Sequence, residues 1–376
     1  MKKCAYWMHG FGGDDAKATA KALKETGFDI VVEGAEKAIE AVRAEGMASW
    51  VCGGAFGLGD LQNDDSVRAR DLDGKPQTWF GSGCPNNSTL RDRNLKSYEK
   101  MAATEGVSGI LVDGCRFASP ASGRDAFFTC FCDTCREKAG RLGIDFERMK
   151  SDVVALRVAV RGAGAPGGVA WLGSPVGAAE WLVRRSGVLD WLRFRRLCVT
   201  EHFRAVSDAI HGGGKRMGVY IFTPSLAPFV GQCYADLKEF VDVFAPMIYR
   251  NYPGRPGIAC LNWELGIPIE EVAKEHPAAE TAAAELVLRL TGLAEVVPER
   301  TVKEILAGQP PEAVGHETAV ARALLGKEKE LAPILYIDDP EMARTARLTR
   351  EAGADGINFF AFQDKWRELV TPAFPG

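Results

Sequence analysis

Three cysteines within six residues, Cys130-Phe-Cys132-Asp-Thr-Cys135, carry the sharpest chemical signal in this chain. Their thiolates can converge on one tetrahedral ion, as zinc does with four sulfurs at about 2.3 Å. Cys84 and Cys115 are both candidates for the fourth ligand. A closed four-cysteine site has no open position, so it would tie loops together and take no part in chemistry. A redox pair at Cys132 and Cys135 would need a different βαβ setting. A second group of residues consists of carboxylates placed just after apolar runs. Asp113 follows Ile110–Val112, Asp338 follows Leu335–Ile337, and Glu33 follows Ile30–Val32. Two such groups facing one another can divide general acid and base work between them. The reading takes Asp113 as nucleophile or base and Asp338 as acid, its carboxyl raised by an enclosed site. Glu33 ranks next. Asp339, before Pro340, reads equally as a helix cap, and Glu264 in Asn262-Trp263-Glu264 is a weaker option.

These residues need elements to bring them together. Eight short apolar runs alternate with amphipathic segments: Ala5–Met8, Phe28–Val32, Ser49–Cys52, Gly109–Val112, Met217–Phe222, Val241–Ile248, Ala332–Ile337 and Gly356–Phe362. Runs rich in Val, Ile and Phe and bounded by Gly, Asp or Pro read as parallel strands buried on both faces. The segments between them read as helices over Asp14–Thr26, Glu36–Glu45, Leu189–His211 and Asp339–Ala352, with Gly27 as a C-terminal stop. Strand and helix repeated eight times predict an α/β fold, a (β/α)8 TIM barrel. No G-x-G-x-x-G follows the first run, which argues against an open dinucleotide-binding sheet. Trp7 to Val31 and Leu335 to Phe359 are minimal units. The intervals after strands three, four and six are far longer, so the long insertions emerge at the C-terminal face, where barrel active sites sit. Gly162–Ala178, rich in Gly, Ala and Pro, reads as a surface loop. A helical insertion is expected around 265–330, as a lid or subunit contact. Residues 1–376 read as one barrel domain, with a loop region around 80–140 clamped by the cysteines.

Polar and aromatic residues gather at the predicted strand ends. Trp7 and His9 end the first strand, Tyr220 and Phe222 lie on the fifth, Tyr249 and Tyr252 follow the sixth, and Gln363 follows the eighth. Arg116 stands beside Asp113. Aromatic rings can stack on the C–H faces of sugars while the polar groups match hydroxyls, although each ring alone is more often core. The 376 residues carry a net charge of −4, 46% hydrophobic and 26% charged residues. That balance excludes a disordered or fibrous chain and implies no general affinity for nucleic acid or anionic membrane. No run approaches the roughly 18 apolar residues of a membrane span. Ten cysteines without an export signal point to a reducing compartment and a cytoplasmic location.

The segment Cys84-Pro-Asn-Asn-Ser-Thr-Leu-Arg, with the later Cys-x-Cys-x-x-Cys, resembles the zinc-binding loops of glycoside hydrolase family 42 beta-galactosidases and related glycosidase-like barrels. Gly109-Ile-Leu-Val-Asp-Gly-Cys-Arg-Phe117 and Ala245-Pro-Met-Ile-Tyr249 are similar to strand-end phrases of such barrels. The resemblance implies a structural zinc on Cys84, Cys130, Cys132 and Cys135. It is specific only over about residues 80–140 and 216–250. Where that family carries an Asn-Glu pair after strand four, this chain has Asp113-Gly114, and the family's strand-seven glutamate is not evident. The galactosidase activity is therefore not carried over. The expectation is a glycoside hydrolase with catalytic Asp113, Asp338 and Glu33, and substrate contacts from Trp7, His9, Arg116, Tyr220, Tyr249 and Gln363. The partner would be a carbohydrate, with a homo-oligomer as a further expectation. The alternatives are a carbohydrate-binding barrel without catalysis, and a non-glycosidic lyase or isomerase using a carboxylate and His9.

Overall fold

The computed structural model describes residues 4–12, 15–161, 174–253 and 259–374. Eight parallel strands form a closed ring: β1 (Ala5–His9), β2 (Ile30–Val32), β3 (Ala48–Gly53), β4 (Gly109–Val112), β5 (Arg216–Phe222), β6 (Val243–Met247), β7 (Ile334–Tyr336) and β8 (Gly356–Phe360). Neighbours in sequence are neighbours in the sheet, and β8 pairs with β1. A stub at Glu330–Leu331 lies along β6, and Ile334 pairs with Met247 to complete the ring. The chain is a (β/α)8 barrel, and every expected strand lies within two or three residues of an observed one. The pattern was readable because both faces of each strand are covered, which forces near-continuous apolar runs.

The helices obey their end signals. Ala16–Thr26 is capped by Asp15, whose carboxylate accepts the N–H groups of Lys17 and Ala18. It stops at Gly27, whose φ of 108° only glycine adopts readily. The expected start at Asp14 lies outside the described residues. Of the loop expected over Gly162–Ala178, residues 162–173 also lie outside them. The remainder is a correction: Ser174 caps a helix, Pro175–Arg184, on which Pro occupies a favoured first-turn position. Asp339 does not cap the last βα helix, which spans Met342–Glu351. Its carboxylate accepts the Glu341 N–H at 2.8 Å just before that helix, and also takes the Arg250 guanidinium through both oxygens and the Thr345 hydroxyl at 2.8 Å.

The insertions sit where the intervals placed them. After β3 comes a small hairpin, Ala69–Arg70 with Pro76–Gln77. After β4 come several helices and the long Ser186–Gly212. After β6 come the helices Leu261–Glu275, Glu280–Leu290, Val302–Ala307 and Pro311–Leu325.

The barrel interior below the mouth is filled by two indoles. Trp7 meets Trp50 edge-on, centroids 4.9 Å apart. Trp50 fits because Gly109 and Gly218 line its slot. A Cβ on Gly109 would lie 2.5 Å from the ring, and one on Gly218 would lie 3.1 Å from it. No described helix is long and apolar enough to cross a membrane.

Candidate functional site

Two centres lie at the C-terminal ends of the strands. The first is the cysteine quartet. Cys84 is held in the insertion after β3 by its N–H to the Val67 carbonyl at 2.8 Å, just before Asn87 caps the helix Ser88–Ala102. Cys132 is the N-cap of the helix Asp133–Arg141, so Cys135 falls on its first turn. The four sulfurs of Cys84, Cys130, Cys132 and Cys135 all lie within 4.8 Å of one another. Cys84 stands 3.6 Å from Cys132, 3.6 Å from Cys135 and 3.7 Å from Cys130. A tetrahedron with 2.3 Å metal–sulfur legs has edges of about 3.8 Å, so these residues fit a tetrahedral ion closely.

Donors to sulfur complete the surroundings. The Arg70 N–H lies 3.4 Å from Cys130 Sγ, and Asn86 Nδ2 lies 3.3 Å from Cys135 Sγ. Hydrogen bonds from Cys130, Cys135 and Cys84 hold the Cys132 thiol well below its ordinary value. Of the two candidates for fourth ligand, Cys84 occupies the place. Cys115 is buried apart from the cluster, and burial pushes its thiol far up.

The second centre is the barrel mouth. Asp113 is the first residue past β4, anchored by its N–H to the Gly53 carbonyl at 2.8 Å. Its Oδ1 accepts the Gly114 N–H at 2.7 Å. The carboxyl is enclosed by protein though still partly open to solvent. Burial raises it, while Arg116 and the Gly114 N–H work against that rise. Tyr220, Tyr249 and Cys52 all lie within its field.

Arg116 is buried, with its guanidinium 4.9 Å above the Phe222 ring, between the fields of Glu264 and Asp113. Glu264, on the helix that follows β6, is 1% exposed. Its Oε2 accepts the Ala121 N–H at 2.9 Å, and its buried Oε1 has no hydrogen-bond partner. Burial pushes its carboxyl up to about 7, against the pull of the Ala121 N–H, Ser119 and Arg116. Of the carboxyls singled out from the sequence, one ranked low is thus the most enclosed.

Across the mouth, His9 Nδ1 lies 2.6 Å from the Tyr220 hydroxyl, which also accepts from Asn358 Nδ2 at 3.2 Å. Burial brings His9 down to about 4, with Glu33 opposing, so the imidazole is neutral at pH 7. An aromatic wall, buried at Tyr249 and half-buried at Phe360, Tyr252 and Tyr336, continues from here. Phe360 packs against His9 at 5.1 Å and Tyr249 at 5.4 Å, and Tyr252 meets Tyr336 at 4.8 Å.

The expected residues therefore separate. Asp113, Arg116, His9, Tyr220 and Tyr249 come together. Trp7 does not join them: it is 1% exposed and fills the barrel below. Asp338 is exposed, so the enclosed environment expected for it is not there in the free protein. Gln363 is also exposed. Glu33 turns one oxygen to the N–H groups of Gly34 and Ala35, anchoring the loop before its helix. Asn358, with its buried unpartnered Oδ1, was missed because an Asn inside an apolar run carries no motif. A charged cleft of about 300 Å³, including Arg216, Asp242 and Asp355, lies at the opposite end of the strands.

A closed (β/α)8 barrel with carboxylates at its mouth and a four-cysteine site able to hold a metal ion is the class these features define. Among solved structures, the chain is similar to the catalytic domain of beta-amylase from Paenibacillus polymyxa. That match has a TM-score of 0.52 and 12% identity, over 100% of this chain and 99% of that one. It is also similar to a beta-galactosidase from Bacillus circulans sp. alkalophilus, with a TM-score of 0.51 and 14% identity, over 96% of this chain and 50% of that one. At such identity the likeness is one of fold. No protein family matches the chain, and no curated protein does.

Proposed function

We propose that the protein is a glycoside hydrolase acting on a glycan or glycoside at the mouth of the barrel, with a structural zinc on Cys84, Cys130, Cys132 and Cys135. The observation that carries this reading is Asp113: a largely enclosed carboxyl at the end of β4, beside the buried Arg116 and facing Tyr220 and Tyr249 of the mouth. The cysteine loops favour the neighbourhood of glycoside hydrolase family 42. The missing Asn-Glu pair separates this chain from that family's galactosidases.

Asp113 serves as nucleophile or base. Glu264 acts through Arg116: while protonated, it leaves the guanidinium charge to Asp113 and so keeps that carboxylate ionised. The acid is Asp338, with Glu33 next. A sugar seated on Tyr252 and Tyr336 would cover Asp338 and supply the desolvation that the free protein lacks. His9, Tyr220 and Tyr249 contact the substrate. Zinc held by all four cysteines would supply no chemistry, because no coordination position would be left open; it would tie the insertion after β3 to the one after β4.

A panel of aryl glycosides tests the reading. Turnover by the wild type that falls on the order of 10²–10⁴-fold in Asp113→Asn supports it. Binding without turnover would instead make the barrel a carbohydrate-binding protein. The 2.6 Å His9–Tyr220 contact beside Asp113 favours one other reading, a lyase or isomerase. Substrate-proton exchange with solvent, without glycoside cleavage, would select it.

A further inference from the structure

Arg195 lies on the long helix Ser186–Gly212 and is 0% exposed. A buried guanidinium is costly unless its charge and its donors are both answered. Every hydrogen bond it makes goes to a backbone carbonyl. Nε and Nη2 reach Thr129 at 3.2 and 2.6 Å, Nη2 also reaches Phe127, and Nη1 reaches Phe229 and, at 3.3 Å, Ala118. The plane stacks on Trp191 at 3.9 Å, and the Trp191 Nε1 donates to the same Thr129 carbonyl. The donors are satisfied, yet no carboxylate answers the charge in these contacts. The negative groups whose fields favour it are sulfurs, one of them in the residue joined to Thr129. Burial works against the cation, while Cys130 and Cys135 work for it. Thr129 is covalently joined to Cys130, so the cage that holds Arg195 is also the strand of chain that carries a ligand.

Four thiolates around a divalent cation leave two net negative charges in the interior. We propose that Arg195 is the built-in counter-charge of the four-cysteine site, placed by loop carbonyls so that its guanidinium offsets part of the charge kept by the thiolates around a bound zinc-like cation. The inference rests on the metal reading of the cluster. Arg195 is a positioning residue here, since it touches no ligand sulfur in its hydrogen bonds. The same cage fastens two connections to one point, because Ala118, Phe127 and Thr129 lie in the insertion after β4 and Phe229 follows β5.

The test uses the full chain loaded with zinc and a colorimetric chelator in competition. Wild type, Arg195→Lys and Arg195→Met are compared, and circular dichroism reports the fold. Wild type should hold about one ion per chain. Arg195→Met should weaken zinc affinity by roughly 10–100-fold, the loss seen when residues surrounding metal ligands are removed. Arg195→Lys, which keeps the charge but not the fork, should stay within about tenfold of wild type. A purely structural arginine would make the two variants fall together. Should Arg195→Met not fold, Arg195→Lys decides alone: a loss beyond about tenfold overturns the proposal. Equal affinity in wild type and Arg195→Met overturns it too, while leaving the metal reading intact. A wild type that binds no zinc overturns both.

Discussion

Glu264 and His9 give the mouth two opposite pH signatures. Glu264 is held near 7 when folded against an ordinary 4.5, so the folded state keeps a proton that the unfolded chain releases. Its contribution is therefore complete below about 4.5 and is lost as pH rises through 7. His9 is held near 4 against an ordinary 6.5, so here the unfolded chain takes up the proton first. Its contribution is present above 6.5 and lost as pH falls toward 4. Urea unfolding at several pH values should show both. The wild-type advantage over Glu264→Gln should be larger at pH 5 than at pH 8, and His9→Gln should gain on wild type as pH drops below 6.5. A pH-independent difference for either variant would remove that residue from the account. Asp113 and the cysteines were legible in the sequence because each stands in a local phrase: a carboxylate after an apolar run, and closely spaced sulfurs. The enclosure of Glu264 was not legible, because it involves Ala121, 143 residues away, which no local pattern reports.

The insertions after β3 and β4 meet at the cysteine quartet, with the Phe131 N–H on the Arg70 carbonyl and the Arg157–Asp73 pair as further ties, whereas the strands are held by their own ladders. Replacing Cys132 with Ser should abolish stoichiometric zinc and lower thermal stability. Hydrogen exchange should then rise across residues 66–87 and 117–141 while the strands stay protected. Uniform exchange across all these segments would mean that the cluster is not the local fastening. The rim beyond β6 and β7 uses a different tie, the buried Arg250–Asp339 pair. Asp339→Asn leaves that guanidinium only the more exposed Glu341, 3.6 Å away, and should cost up to about 3 kcal/mol in urea unfolding. Helix ends with a cap and a glycine were legible, as at Asp15 and Gly27. Asp339-Pro340 was legible only in part: its carboxylate does take the Glu341 N–H at the helix start, but its pairing with Arg250 from another loop has no local signal.

The barrel as a whole depends on how its lumen is filled. Trp50→Ala should cost about 3–5 kcal/mol, mostly through the cavity left beside Trp7. Gly109→Ala should cost about 1–3 kcal/mol, because its new methyl would press on the Trp50 ring. Thermal unfolding measures both, and a neutral Gly109→Ala would show that the indole can shift. Strand count and order could be read from apolar runs, since each strand reports its own burial. The pairing of two small residues with one large indole could not, because the partners come from three strands that only closure brings together. The sulfur site has a further consequence for synthesis at the ribosome. All four thiols belong to the first 135 residues, so a nascent chain could capture its ion while strands five to eight were still unmade. Scarcity of zinc would then be felt during translation, well before a complete barrel existed to protect the site.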